Sequence, residues 1–270
     1  MLKAIRVIFK EQIENRDLIL RMATFDIKSN YQLHYLGLLW QFIVPAIQVA
    51  IYWVVFGIGI RGGAPIDGIP FILWLLMGLI PWLFISPSMI QGSNSVHQNV
   101  SLVSKMNFPV SILPTIKLVA NSFQFFILMT ILFILLAIYG IKPTIFILQL
   151  PYYIFALFIF IFSFLLLSST ISTIVRDYQT FLQSIMRMFL YVSPILWDPS
   201  SDIVPDVLSN LLMLNPFYYI IDGVRTSFLG GEWFFENPVY MIYFWSLTFI
   251  FLFFGARYHL KFRKNFVDYL

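Results

Sequence analysis

The sequence predicts an all-α polytopic membrane protein with six transmembrane helices, an N-terminal amphipathic interface helix and a re-entrant extracellular helical hairpin. Apolar residues make up 60% of the chain and charged residues only 11%, which is too few for an ordinary water-soluble surface. Six nearly charge-free apolar runs each reach the length needed to cross a bilayer core as a helix, roughly 20 residues. Because the runs lack the period-two alternation of membrane strands, they indicate helices rather than a barrel.

The six apolar runs set the order and the orientation of the predicted spans. They cover residues 36–60, 69–90, 118–141, 144–175, 178–197 and 238–256. An even number of spans places both termini on one side, and that side carries fourteen of the 17 Lys and Arg residues. By the positive-inside rule, both termini are expected in the cytoplasm. The same distribution accounts for the basic pI, so no nucleic-acid partner is expected.

The chain before the first apolar run predicts an amphipathic helix. Apolar side chains at Leu2, Ile5, Phe9 and Ile13 recur at steps of three and four within residues 1–28, and basic residues occupy another face. Such a helix either packs on the bundle or lies in the cytoplasmic interface beside anionic headgroups, and the membrane context favours the interface. The predicted organisation is a cytoplasmic interface and gate segment over 1–35, a six-span domain over 36–258 and a cytoplasmic tail over 259–270.

Two connections are longer than simple turns, and one is very short. The predicted cytoplasmic loop 91–117 contains Ser-Lys-Met-Asn-Phe-Pro at 104–109. Spans four and five are joined by Arg176 and Asp177 alone. The outer loop 198–237 contains an apolar stretch, 207–221, that is too short to cross the membrane and is interrupted by Asn215 and Pro216. A central proline in such a stretch predicts a broken hairpin that dips back from the outside.

Polar residues form a stripe along the first span and another along the fifth. In the first, Gln41, Pro45, Gln48, Tyr52 and Phe56 share one helical face; in the fifth, Thr180, Gln183, Ser184, Arg187 and Tyr191 do. A cation at a helix centre costs about 2.5 to 3.5 kcal/mol, so Arg187 is expected to face a cavity or a partner. The alternative is that it bonds backbone carbonyls or extends to the membrane interface. Amides and hydroxyls also hold helices together. The two stripes favour a pathway lined by Gln41, Gln48, Tyr52, Phe56, Gln183, Arg187 and Tyr191.

The motifs of soluble enzymes are absent or out of context. Gly57, Gly59 and Gly62 match G-x-G-x-x-G but end an apolar span, so they predict close helix approach and a turn rather than a nucleotide site. The sequence has no phosphate loop, no Cys and only three widely separated His residues, so no catalytic or metal-binding residue is predicted. No carboxylate falls within the core of a span, and an ion-coupled relay is therefore not expected.

The order and spacing of these features resemble the six-span permeases of ABC exporters for lipid-linked cell-surface polysaccharides. The resemblance covers nearly the whole chain, and no single motif is diagnostic. Its segments are 36–40, 54–57, 104–109, 176–177, 193–197 and 215–216. Residues 61–65 and 266–270 look most like the wall teichoic acid permeases of Gram-positive bacteria. Val44 before Pro45 departs from relatives, which often have Asn there.

The resemblance implies how such a protein is assembled. It implies a homodimer that recruits two copies of a separate ATPase subunit, so that ATP and Mg bind in the ATPase and this chain holds no cofactor. Residues 1–28 then form the interface and gate helices, and spans one and five line the conduit. The coupling elements that contact the ATPase correspond to Lys105, Met106, Asn107, Phe108, Pro109, Arg176, Asp177 and Tyr178.

The sequence therefore predicts a permease subunit, not itself an enzyme, that moves an undecaprenyl-diphosphate-linked teichoic acid polymer across the bacterial plasma membrane. The substrate is expected to enter at a basic patch formed by Arg6, Lys10, Arg16, Arg21 and Lys28. The alternatives are an exporter of another lipid-linked glycan such as O-antigen or capsule, a membrane enzyme acting on polyprenyl lipids, and a gated channel. The enzyme is disfavoured because Mg²⁺ around a diphosphate needs clustered carboxylates, and the cytoplasmic acids are scattered.

Overall fold

The computed structural model describes residues 2–31, 35–99, 108–175, 177–198, 212–263 and 266. Within these ranges the regular structure is helical, apart from one antiparallel bridge between Ile66 and Ile69. The stretches long and apolar enough to cross a membrane are Gly37–Ile60, Phe71–Ser93, Val110–Ile138, Ile145–Ile174 and Pro238–Phe262. The predicted class of an all-α polytopic membrane protein is confirmed, while the count of six spans stays a prediction.

The N-terminal segment forms two helices, whereas the periodicity predicts a single amphipathic helix and the resemblance implies an interface helix and a gate helix. The two helices are α1, Leu2–Glu14, and α2, Arg16–Tyr31. At the junction the side-chain amide of Asn15 donates to the carbonyl oxygen of Glu11 at 2.8 Å and competes with the backbone for that acceptor. Ile8 is fully buried against the bundle, while Phe9 and Ile13 are exposed. The helix therefore packs through one face and leaves apolar side chains on another.

The first span and its following turn depend on glycines. After a short 3₁₀ turn the span runs as α3, Trp40–Tyr52, and continues as a π-helix, Trp53–Ile60. Gly57 lies against the ring of Phe71, where an added Cβ atom would come within 2.8 Å of a ring carbon. Gly62 and Gly63 then adopt positive φ angles of 63° and 83° and turn the chain. These glycines supply the close approach and the turn that the sequence predicts.

The predicted loop 91–117 is partly helical. Helix α4, Phe71–Ser93, extends into its beginning, the short α5, Ser95–Gln98, lies within it, and α6, Leu113–Ile138, starts before its end. Helix α6 begins earlier than the predicted span because Pro114 sits in its first turn, where the missing N–H leaves no helical hydrogen bond unmade. Lys117, predicted at the end of the loop, consequently lies on a helix. Residues 100–107 lie outside the described residues.

The fifth predicted span, 178–197, is a shorter helix than expected. It follows α7, Leu150–Ile174, and forms α8, Tyr178–Val192, of 15 residues. The helix ends because Ser193 is extended, with ψ at 152°, as is favoured for a residue that precedes a proline. Crossing takes roughly 20 helical residues, so α8 does not reach that length. Five spans in the described part of the chain meet the requirement, and the crossing of the membrane by α8 remains a prediction.

The outer segment contains a buried helix. The last two helices are α9, Pro216–Leu229, and α10, Pro238–Phe262. The side-chain oxygen of Asn215 accepts from the backbone N–H of Phe217 at 3.0 Å and caps α9. The predicted break at Asn215 and Pro216 is confirmed, while residues 207–211 of the first arm lie outside the described residues. Helix α10 continues through residues 259–262, which the sequence analysis assigns to the tail.

Helices α4 and α7 form the centre of the bundle. In the most apolar stretch of each helix, 78% of the α4 residues and 61% of the α7 residues are buried, compared with 11% for the first span. Helix α10 packs along α7, and α6 packs along α4. The first span is therefore peripheral, with most of its surface facing outward, and a cavity lies between it and α4.

Candidate functional site

A cavity of about 820 Å³ lies between α3, α4, α6 and α8. Its wall is largely apolar, with amide, hydroxyl and guanidinium groups set between large aromatic rings. The polar and large aromatic lining residues are Trp40, Gln41, Gln48, Tyr52, Trp82, Ser86, Gln91, Gln124 and Arg187. A cavity of this size and lining is typical of a ligand site rather than of packing between helices.

The cavity brings together residues from both predicted polar stripes. Gln41, Gln48 and Tyr52 line it from α3, and Arg187 lines it from α8. The other three predicted pathway residues, Phe56, Gln183 and Tyr191, do not line it. The Phe56 ring nonetheless lies 6.4 Å from the Tyr52 ring in an edge-on contact. The two stripes thus face a common space in part, and their role in transport stays a prediction.

Arg187 combines the two alternatives that the sequence leaves open. Its side chain is exposed and borders the cavity, while its Nε donates to the carbonyl oxygen of Gln183 at 3.3 Å. Among the described residues no other Lys or Arg lines this cavity. The two terminal nitrogens of the guanidinium make no hydrogen bond within the same residues. They are therefore available to a ligand in the cavity.

Helices α4 and α6 contribute polar side chains to the cavity lining that the sequence-based prediction of the pathway does not include. Gln124 of α6 donates from Nε2 to the backbone carbonyl of Gln41 at 3.0 Å. Asn121, one turn earlier, donates to Oε1 of Gln91 at 3.3 Å. A signal was present, because Asn121 and Gln124 are amides three residues apart in an otherwise apolar run, and such residues face the bundle interior. Their approach to Gln41 and Gln91 is a property of the fold alone.

The residues of the predicted basic patch are all exposed on α1 and α2. Lys10 lies 3.5 Å from Glu14, and Arg16 lies 3.9 Å from Asp17, both at the surface. The three remaining members, Arg6, Arg21 and Lys28, make no ion pair with any described residue. Exposed cations of this kind attract anionic headgroups or phosphates. Their use as a substrate entrance stays a prediction.

Both N-terminal helices are held to the bundle by ionic contacts. Glu11 of α1 pairs with Nη1 of Arg263 at 2.6 Å and accepts from the hydroxyl of Ser111 at 2.5 Å. Asp26 of α2 pairs with Nζ of Lys117 at 2.6 Å. Ser111 lies in the 3₁₀ turn Val110–Ile112 that leads into α6, and Lys117 lies in the first turns of α6. Both follow closely on the loop residues 105–109, which are predicted to contact an ATPase. The basic patch is therefore attached to the same helix end as that loop.

Half of the predicted coupling residues fall within the described ranges. Lys105, Met106, Asn107 and Arg176 lie outside them, whereas Phe108, Pro109, Asp177 and Tyr178 are described. Phe108 is half-buried and packs against a cluster that includes Ile19, Ile116 and Phe266. The Tyr178 hydroxyl lies 2.8 Å from Oγ of Ser168. Both rings thus help to pack this chain itself, and their contact with an ATPase stays a prediction.

Comparison with known proteins identifies the family. The sequence profile of the ABC-2 type transporter matches residues 18–229, which extend from α2 to the end of α9. The O-antigen export system permease protein RfbA of Myxococcus xanthus is 25% identical over 219 residues, 81% of this chain and 83% of that protein. The protein of the same name from Klebsiella pneumoniae is 26% identical over 216 residues, 80% of this chain and 81% of that protein. The match includes all four helices around the cavity, and the chain belongs to the ABC-2 type transporter family.

Proposed function

We propose that this chain is the membrane subunit of an ATP-driven exporter that moves a lipid-linked surface polysaccharide of the O-antigen kind across the plasma membrane. The observation that carries the proposal is the cavity between α3, α4, α6 and α8, lined by amides and aromatic rings. Amides offer donors and acceptors to sugar hydroxyls, and rings offer flat faces on which sugars stack. The two relatives described above are both named as O-antigen export permeases.

The proposed cargo differs from the teichoic acid that the sequence analysis favours. Neither relative is named for teichoic acid export. A phosphate-rich polymer would also be expected to meet several cations, and Arg187 is the only charged residue that lines the large cavity in the described part of the chain. The exposed basic patch on α1 and α2 fits the diphosphate of a lipid carrier, which both kinds of polymer share.

The proposal places ATP hydrolysis in a separate ATPase subunit, because this sequence contains no phosphate loop and no acidic relay within its spans. It also includes a second copy of this chain. The first span is the least buried of the five, and the α8 residues Gln183, Arg187 and Tyr191 are exposed. Pairing two copies through these surfaces would enclose a pathway between them.

Depletion of the protein in its native cell, followed by analysis of surface glycans and lipid-linked precursors, tests the function. We expect one surface polysaccharide to disappear while its lipid-linked form accumulates on the cytoplasmic side, and re-expression of the chain to reverse both changes. Loss of wall teichoic acid, with other glycans intact, would show that the cargo is teichoic acid, as the sequence-based prediction states. Unchanged glycans and precursor pools would rule out export of a lipid-linked polymer.

A further inference from the structure

A second, smaller cavity of about 90 Å³ adjoins the large one near α2. The two cavities share Gln41, Pro87, Gln91 and Gln124 in their linings, so they lie side by side. The small cavity adds Asn121 from α6 and Asp26 from α2. We refer to its four amide residues, Gln41, Gln91, Asn121 and Gln124, as the amide pocket. They come from the start of α3, the end of α4 and the start of α6, which lie on the predicted cytoplasmic side.

The amide pocket keeps much of its hydrogen-bonding capacity unused. Two bonds join its members: Gln124 to the backbone carbonyl of Gln41, and Asn121 to the side chain of Gln91. Each amide side chain offers one carbonyl oxygen and two N–H groups. Within the described residues, the whole amide of Gln41, Oε1 of Gln124, Nε2 of Gln91 and Oδ1 of Asn121 make no hydrogen bond. Polar groups within membrane-spanning helices are costly unless something satisfies them.

The size of the pocket argues against a purely structural role. Well-packed protein interiors contain few voids larger than a water molecule. A water molecule needs about 10 to 15 Å³ of such space, so 90 Å³ holds several. The pocket therefore has room for part of a larger polar ligand.

The charges around the pocket indicate an uncharged ligand. Its acidic residue, Asp26, is paired with Lys117 at 2.6 Å, so neither charge is free. No Lys or Arg is among the described residues that line it. A phosphate needs a cation to balance its charge, and the described lining offers none, whereas a sugar hydroxyl both donates and accepts hydrogen bonds, as amides do. Trp40, beside Gln41, presents a ring to the adjoining large cavity on which a sugar face stacks.

We infer that the amide pocket binds an uncharged sugar residue of the exported glycan at the cytoplasmic end of the pathway, before the polymer enters the large cavity. This inference rests on the proposed function, and it adds a subsite with its own ligand chemistry. The pocket recognises hydroxyl groups of a sugar ring, while the exposed cations of α1 and α2 remain for the carrier's diphosphate.

Site-specific crosslinking in the complete exporter tests the subsite directly. A photoreactive benzoylphenylalanine replaces Asn121, Gln48 of the large cavity, or Ile138, which is exposed near the far end of α6. The ATPase is inactivated so that the cell's own lipid-linked glycan stalls, and adducts are detected by periodate staining. We expect glycan adducts at positions 121 and 48 and none at 138. Adducts at 48 without any at 121 would overturn the subsite and leave the exporter intact; no glycan adduct at any position would overturn both.

Substitutions separate recognition of sugar from packing and from charge. Asn121→Leu combined with Gln124→Met retains volume and should reduce export about tenfold at unchanged protein abundance, the loss expected from removing one or two hydrogen bonds. The control Thr130→Val removes an exposed hydroxyl of α6 that bonds its own helix, and should have no effect.

Gln91→Lys and Gln91→Glu should impair export equally if the ligand is uncharged. Retained export in Gln91→Lys alone would show an anionic ligand and refute the inference.

Discussion

Arg225 of α9 is a buried cation stabilised by an aromatic face. Its guanidinium carbon lies 3.4 Å from the centroid of the Trp74 ring, and Nη2 donates to the carbonyl oxygen of Ile195 at 3.2 Å. Gly78 of α4 leaves room for it, since an added Cβ atom would lie 2.6 Å from Nη2. One side chain thus joins α9, α4 and the segment after α8. Cation–π contacts are strongest where water is excluded, as it is here.

Replacing Arg225 with Met should destabilise the protein by about 2 kcal/mol or more, because the desolvated cation–π contact and the hydrogen bond to Ile195 are lost together. Thermal unfolding of the purified chain in detergent measures the change. Arg61→Met is the matched control: its guanidinium carbon lies 5.5 Å from the Phe71 ring centroid and is partly exposed, so it should cost less than about 1 kcal/mol. Equal losses in the two variants would contradict a special role for Arg225.

At the scale of the elements, α1 and α2 depend on specific ionic contacts for their position. The pair Asp26 and Lys117 is largely buried, with side chains 22% and 15% exposed, and the pair Lys10 and Glu14 lies open to solvent at 70% and 58%. Burial reduces screening by water and salt, so the first pair interacts more strongly than the second. The buried pair of Asp26 and Lys117 therefore contributes to holding α2 against α6, whereas the exposed pair of Lys10 and Glu14 contributes little.

A double-mutant cycle on Asp26→Asn and Lys117→Met should give a coupling free energy of about 1 to 3 kcal/mol in thermal unfolding. The same cycle on Lys10→Met and Glu14→Gln should give less than about 0.5 kcal/mol, as for other exposed helix pairs. Raising the salt concentration should weaken the surface coupling more than the buried one. If the two cycles give equal coupling free energies, the contact between α2 and α6 does not depend on the pair of Asp26 and Lys117.

For the whole molecule, the proposed function makes the cavity and its charge the features that a moving substrate would meet. Among the described residues, the wall contains one guanidinium, from Arg187, between amides and aromatic rings. A single cation with free terminal nitrogens suits a carrier diphosphate that passes once, while the neutral wall lets successive sugars slide without tight binding. In the proposed exporter, the energy for movement would come from the ATPase rather than from affinity for the cavity wall.

Arg187→Gln should reduce export about tenfold or more without lowering the amount of protein in the membrane, since a hydrogen bond to a charged group is lost in the pathway. Export is measured as the ratio of surface glycan to lipid-linked precursor. Arg257→Gln removes an exposed cation of α10 that does not line the cavity and should leave this ratio unchanged. Failure of the Arg187 variant to accumulate, while the Arg257 variant accumulates normally, would make Arg187 a structural residue.

The sequence by itself determines the membrane class and most helices of this protein. Long apolar runs predict helices because the backbone in lipid must satisfy its own hydrogen bonds, and this rule operates within each segment. Local backbone chemistry likewise predicts the turn at Gly62 and Gly63 and the break before Pro216. It does not predict the break at Asn15. The end of the helix at Ser193 is also not predicted, because apolar residues flank Ser193 and Pro194 on both sides and continue the apolar run.

Tertiary structure alone decides which polar groups meet. Gln41, Gln91 and Gln124 lie on three helices and line one cavity only because those helices pack side by side. Arg225 falls within the predicted outer loop 198–237, yet it is buried against the Trp74 ring because Gly78 leaves room for it. The sequence pattern shows which face of a helix is polar, but the partner of that face depends on packing between segments far apart in the chain. Helix propensity and hydropathy are local, whereas a binding site is made of contacts between helices.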